Sequence, residues 1–215
     1  MPSIQTVRRT IRKARRRINQ EPLPRNREEL EIPEQYQRLE NGELFLLYDS
    51  GVGVANRIII FGTQRNLDML DMYDQYFMDG TFKIVPDLFY QLYTVHVMTA
   101  AGYMIPALFS LLLNKTRETY SRVFAQMKVL RPNVFPNRIM VDFEQAAISA
   151  AEEAFPQAVI SGCFYHLSQS VYRKVQSEGL QNLYGEDADF ATSVRMIPAL
   201  ALVPEAEVVN AFELL

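Results

Sequence analysis

Cysteine and histidine are scarce in this chain: Cys163 is the single thiol, and His96 and His166 are the two imidazoles. One cysteine cannot close an internal disulfide, which makes a reducing compartment the easier expectation. Zinc normally takes four nitrogen and sulfur ligands. Cys163 and His166 form a Cys-x-x-His pair at the start of a helical stretch, but His96 lies in a strand-like run and no second cysteine exists, so no zinc is expected. Long apolar runs are missing as well. The longest, Tyr103 to Leu113, is interrupted by Pro106 and falls far short of the roughly 20 residues that cross a bilayer, so no membrane partner is expected. The N-terminus opens on polar and basic residues instead of a charged tip and apolar core, which argues against a secretory signal. Internal repeats and low-complexity segments are absent.

What remains is ordinary globular material of 215 residues, large enough for one main core and a short appendage. The formal net charge of -3 hides an asymmetry. Residues 1–25 carry Arg8, Arg9, Arg12, Lys13, Arg15, Arg16, Arg17 and Arg25 against the single acid Glu21. Such a cluster suits phosphate binding, an anionic membrane surface or nuclear import, and equally a plain solvated helix face. Ile4, Val7 and Ile11 recur at helical spacing, so a helix is predicted from Ser3 to Asn19, ended by Glu21-Pro22-Leu23-Pro24. The division follows: residues 1–40 are a basic N-terminal helix and linker, and residues 41–215 form the main domain.

Within that domain, Glu43 to Tyr48 and Arg57 to Phe61 flank the turn formers Asp49-Ser50-Gly51-Val52-Gly53 and predict a hairpin. Asn66 to Tyr73 predicts a short helix. Three strands, Tyr76 to Val85, Leu88 to Thr99 and Tyr103 to Leu113, are separated by the short breaks Pro86-Asp87 and Ala101-Gly102, which favour an antiparallel meander. The pattern then alternates. Thr116 is a candidate N-cap for a helix with the stripe Tyr120, Val123, Phe124, Met127 and Leu130. A strand at Arg138 to Val141, a helix carrying Phe143 and an alanine-rich face, a strand at Ala158 to Ser161 and a helix at Phe164 to Ser177 follow. Three antiparallel strands, then helix, strand, helix, strand, helix, is the order of a ribonuclease-H-like α/β core, here with a basic N-terminal arm and a helical C-terminal part.

Two acids stand out against this frame. Asp79 interrupts Phe77-Met78-Asp79-Gly80-Thr81-Phe82-Lys83, and Asp142 closes Arg138-Ile139-Met140-Val141-Asp142. A carboxylate at a buried strand end is costly unless paired, hydrogen-bonded or bound to a cation. In the order above, the two fall on neighbouring central strands. Taken singly, Asp79 also reads as a turn residue beside Gly80, and Asp142 as the N-cap of a helix starting at Phe143. Glu144, two residues on, is expected to point away as a surface or supporting group. His96 reads as a hydrogen-bonded core or edge residue, and Phe82, Phe89, Tyr90, Tyr93 and Phe109 as sheet packing without a site role.

Together with Phe89-Tyr90-Gln91-Leu92-Tyr93, Val141-Asp142-Phe143-Glu144 and Gly162-Cys163-Phe164-Tyr165-His166, the segment around Asp79 resembles the MULE transposase domain of Mutator-like elements over roughly residues 43–215. The motifs are specific as a set. The resemblance implies a ribonuclease-H-like fold with an Asp-Asp-Glu triad that binds Mg²⁺ or Mn²⁺ and performs DNA strand cleavage and transfer. Asp79 and Asp142 match the first two acids. Cys163 and His166 match a Cys-x-x-His element that would orient substrate or support the active site, although taken singly they also read as a small buried residue and a helix-start side chain; on the following helix His166, Gln169, Ser170 and Arg173 share one face, a stripe that suits DNA or solvent. The third acid of the family lies on a later helix, and none of Glu186, Asp187, Asp189, Glu205, Glu207 and Glu213 can be assigned to it, so the resemblance implies a helical C-terminal part that is incomplete. DNA as partner, the arm Arg8 to Arg17 as its phosphate contact, a homo-oligomer and a nuclear location are the expectations that follow. Two classes stay open: a transposase-derived catalytic domain lacking its third acid, and a domesticated, non-enzymatic DNA- or protein-binding module.

Overall fold

The computed structural model describes residues 10, 26, 29–82 and 84–215. The arm residues Arg8, Arg9, Arg12, Lys13, Arg15, Arg16 and Arg17, and the rest of the helix expected there apart from Thr10, lie outside the described residues.

After a one-turn helix α1 (Glu34–Gln37), the strands β1 (Leu46–Asp49) and β2 (Ile59–Phe61) pair antiparallel as the predicted hairpin. Their loop needs residues free to take positive φ, and Gly51 and Gly53 supply them at 109° and 80°. The hairpin base is closed by an ion pair. Asp49 Oδ1 accepts from Arg57 Nε at 2.8 Å and Oδ2 from the terminal nitrogen at 2.5 Å, and Leu30 O takes a further Arg57 N–H at 2.6 Å. Arg57 is 1% exposed, so its charge has left water entirely and depends on these partners. Burial alone would raise the Asp49 carboxyl, but the Arg57 hydrogen bond, the Gly51 N–H and the Arg57 charge together hold it below the usual range.

The helix α2 (Gln64–Met72) begins at Thr63, whose hydroxyl and the Asn66 side chain cap each other's backbone N–H. Strands β3 (Gln75–Thr81), β4 (Gln91–Met98) and β5 (Met104–Leu112) form the expected antiparallel meander. The first two predicted strands are too long at their facing ends. Thr81 to Leu92 is the last pair of the β3–β4 ladder, so the connection takes in Phe82 and Tyr90 as well as Pro86 and Asp87. Next come α3 (Arg117–Leu130), β6 (Arg138–Val141), α4 (Gln145–Ala154), β7 (Val159–Gly162) and α5 (Phe164–Ser177), followed by α6 (Gln181–Glu186), α7 (Ala188–Ala199) and α8 (Val208–Glu213).

All seven strands among the described residues join one mixed sheet, in the order β1-β2-β5-β4-β3-β6-β7. The first five run antiparallel to their neighbours, whereas β6 and β7 continue parallel to β3. Such parallel pairing requires crossovers, which α3 and α4 provide. Thr116 caps α3 as expected, and Tyr120, Val123, Phe124 and Met127 turn into the core. Small residues Ala147, Ala150 and Ala151 let α4 lie close beside α3, and both cover Tyr76, Met78, Tyr93, Val95, Ile139 and Val141 on one sheet face. Among the described residues, no helix is long and apolar enough to cross a membrane.

Candidate active site

The parallel register between β3 and β6 pairs Tyr76 with Ile139, Phe77 with Met140 and Met78 with Val141. One step further along both strands stand Asp79 and Asp142. Neighbouring strands lie about 4.8 Å apart and side chains alternate between faces, so the two acids emerge side by side. Asp79 leaves on the face opposite buried Met78, Asp142 follows the last residue of β6, and both are half-buried. Their charges are coupled. The Asp142 carboxyl is pushed above its ordinary range, first by burial and then by the negative charges of Glu144 and Asp79; the Glu144 backbone N–H and the His166 charge oppose the shift without cancelling it. A crowded, partly desolvated carboxylate pair is an arrangement that a hard cation relieves, and oxygen donors of this kind are what Mg²⁺ and Mn²⁺ take. These residues therefore fit the implied metal.

The strand ends explain how the other residues arrive. Cys163 follows β7, donates its backbone N–H to Val141 O at 2.8 Å and occupies the residue before α5. His166 lies in the first turn of α5 and reaches Asp142 electrostatically, while its Nδ1 is buried without a hydrogen-bond partner among the described residues. Arg173, two turns on, is exposed beyond this cluster. On α5 the stripes separate: Val175 is buried and Leu167 and Val171 half-buried, whereas Ser170 and Arg173 face solvent, with α7 packed alongside. The structure thus brings Asp79, Asp142 and His166 to one end of the parallel strands, sets Cys163 against β6, and leaves Arg173 outside.

Two local expectations change. The fourth helix begins at Gln145, not Phe143, because Asp142 Oδ1 accepts the Glu144 N–H at 3.3 Å and holds residues 142–144 in a turn. Phe143 is left outside the helix with its ring against Gly162, where an added Cβ would lie 2.4 Å from the ring tip. Glu144 does not point into solvent. Its carboxylate accepts the Tyr120 hydroxyl at 2.9 Å and pairs with Lys115 Nζ at 3.2 Å, and its side chain is only 17% exposed. Spacing along a helix could not reveal this, since Glu144 precedes the helix.

Aromatic residues also divide. Phe89 and Tyr93 are buried, as sheet packing requires, but Phe82 and Tyr90 are exposed, edge to face at 5.5 Å, with Lys115 Nζ 4.8 Å from the Phe82 ring centre. The long β3–β4 connection accounts for their exposure. His96 is half-buried on central strand β4, not at an edge; burial lowers its pKa despite the Phe77 hydrogen bond and the Asp79 charge. Among the described residues, no three or more His, Cys, Asp and Glu side chains converge as a metal-holding group. Glu186, Asp187, Asp189, Glu205, Glu207 and Glu213 are all exposed, and Asp187 is occupied in capping α7 through the N–H groups of Asp189 and Phe190.

No curated protein matches the chain. Residues 76–170, somewhat under half of it, match the family model of the MULE transposase domain. The matched stretch runs from β3 into α5 and contains Asp79, Asp142, Cys163 and His166.

Proposed function

We propose, from the match to the MULE transposase domain over residues 76–170, that this chain carries a transposase-derived, ribonuclease-H-like domain whose ancestral reaction is metal-dependent DNA strand cleavage and transfer. The run β5-β4-β3-β6-β7, antiparallel then parallel with helices in the crossovers, supports the fold. One observation carries the site: Asp79 and Asp142 follow the same register pair, Met78 and Val141, on adjacent strands. In open α/β sheets this end of the parallel strands is where ligands bind.

Asp79 and Asp142 would hold Mg²⁺ or Mn²⁺. When bound, such a cation activates a water or 3′ hydroxyl and stabilises the leaving oxygen of an in-line displacement at phosphorus. His166, whose Nδ1 has no hydrogen-bond partner among the described residues, would donate to or accept from substrate, and Cys163, just before α5, would help set where His166 stands. Arg173 and the arm Arg8 to Arg17 contribute cations for the DNA backbone, which suits a nuclear protein. A homo-oligomer is expected, as strand transfer handles two DNA ends. With two acids instead of three converging among the described residues, substrate and cation would be held loosely, and a displacement of about 1 Å in such a site costs on the order of a hundredfold in rate. The same shortfall favours a second reading, a domesticated module that binds DNA or protein without cutting.

Binding and chemistry should therefore separate. Purified chain is expected to retard plasmid DNA at low salt, with affinity falling steeply as salt rises, and to lose most of that affinity when residues 1–25 are deleted, because each phosphate contact releases condensed counterions. Unchanged binding after the deletion would remove the arm from the reading. Supercoiled plasmid incubated with Mn²⁺ should stay intact. Nicking that vanishes in Asp79→Ala and Asp142→Ala variants would instead mean that the two acids suffice.

A further inference from the structure

A buried run of polar groups passes beneath the two acids, on the sheet face that α3 covers. It starts at Gly80, next to Asp79, where the amide of Gln91 packs so closely that an added Cβ would lie 2.4 Å from Gln91 Oε1. Gln91 is fully buried; its Nε2 donates to Asn114 O at 3.0 Å and to the Tyr120 hydroxyl at 2.9 Å. Tyr120, 1% exposed, donates its hydroxyl to Glu144 Oε1 at 2.9 Å. Glu144 Oε2 is held from the other side by Lys115, and the Glu144 backbone N–H donates to Asp142 Oδ1. The hydrogen bonds run from Gln91 through Tyr120 and Glu144 to Asp142, while at the Gly80 end Gln91 Oε1 is buried in packing contact without a hydrogen-bond partner among the described residues.

The direction of donation is settled by chemistry. Burial and then the adjoining Glu144 charge push the Tyr120 hydroxyl far above its ordinary pKa, although the Gln91 hydrogen bond opposes this, so it stays a donor to Glu144. A fixed carboxylate at 144 in turn fixes the turn 142–144, and with it the N–H aimed at Asp142. Apolar packing holds α3 beside these bonds, with the Tyr120 ring tilted against Tyr93 at 4.9 Å and the apolar stripe of α3 buried. Buried polar groups so connected specify one geometry.

We propose that Gln91, Tyr120 and Glu144 form a positioning relay that fixes the turn bearing Asp142 relative to Gly80, and so sets the spacing of the two acids. The relay rests on the reading of Asp79 and Asp142 as cation ligands. Glu144 serves it as a tethered acceptor, not as a third ligand. Groups that orient metal ligands in this way typically affect affinity by about 10- to 100-fold.

Titrating the intact chain with Mn²⁺ and following free and bound ion by electron paramagnetic resonance tests this without reference to catalysis. Glu144→Ala should weaken Mn²⁺ about tenfold, whereas Glu144→Gln, which keeps an acceptor for Tyr120 and the same backbone N–H, should stay within about threefold of the parent. Tyr120→Phe should weaken binding about tenfold and alter the line shape of the bound ion, a change that a purely structural role would not produce. Should Tyr120→Phe fail to fold, the two Glu144 variants decide, since that side chain lies at a partly exposed turn. Parent-like affinity and line shape in Glu144→Ala, while Asp142→Asn loses the ion, would overturn the relay. Glu144→Gln as weak as Glu144→Ala would also overturn it, making Glu144 a ligand or a simple charge. If Asp142→Asn binds Mn²⁺ like the parent, the carboxylate-pair reading itself fails.

Discussion

Asp142→Asn should lose Mn²⁺ affinity by more than tenfold and, in the absence of metal, melt no lower than the parent chain. The two effects have one origin. Ionised Asp142 is opposed by burial and by the charges of Glu144 and Asp79, so a neutral side chain of the same shape removes repulsion while Asn Oδ1 can still accept the Glu144 N–H. Removing half of a carboxylate pair takes away the attraction that draws a cation there. Such opposition between stability and function is common where a site is built from strained charges. Calorimetric melting with and without Mn²⁺ reads both effects; a metal-free melting temperature well below the parent's would mean that Asp142 is a structural residue.

Asp49→Ala should destabilise the chain strongly. It removes the two charge-assisted hydrogen bonds that Asp49 accepts from Arg57, whose side chain is 1% exposed. Breaking one side of a buried pair costs roughly 3 to 5 kcal/mol, and the lower end, about 3 kcal/mol, suits an Asp49 side chain that is itself partly exposed. For a chain of this size that corresponds to a melting shift of about 6 to 12 °C. The double variant Asp49→Leu, Arg57→Met should recover much of the loss, because it takes both charges of the pair out of the protein interior. A shift below about 2 °C, or a double variant as unstable as the single one, would show the pair to be dispensable. The pH dependence has a definite sign. Because the folded-state pKa of Asp49 is depressed, its contribution is complete above the unfolded value of about 3.8 and disappears as pH falls through the folded value.

Much of this fold was legible because periodicity and turn residues agree in the sequence. Thr116 before the Tyr120, Val123, Phe124, Met127 stripe gave α3 its start and face, and Ala101-Gly102 separated β4 from β5. Ends of elements were harder where tertiary bonds decide them. The β3–β4 ladder stops at Thr81 although Phe82 continues the strand-like pattern, and α4 waits for Gln145 because the Asp142 side chain captures the Glu144 N–H first. The acids could be read as a pair, since an α/β order places consecutive central strands together and the register does the rest. Glu144 could not. Its role depends on Tyr120 and Lys115, which sit 24 and 29 positions away in sequence and meet it only through the packing of α3 beside α4. Exposure of Phe82 and Tyr90 was equally hidden, since an aromatic residue beside a strand reads as core until the connection is seen to leave the sheet.

The most direct measurement is diffraction from crystals of the intact chain soaked in Mn²⁺, recorded at the manganese edge. An anomalous peak within about 2.2 Å of carboxylate oxygens from both Asp79 and Asp142, absent from Asp142→Asn crystals, is the expected result. A peak elsewhere on the molecule with none between these two acids, or carboxylates more than about 10 Å apart, too far to share a centre whose ions sit roughly 4 Å from each other, would contradict it.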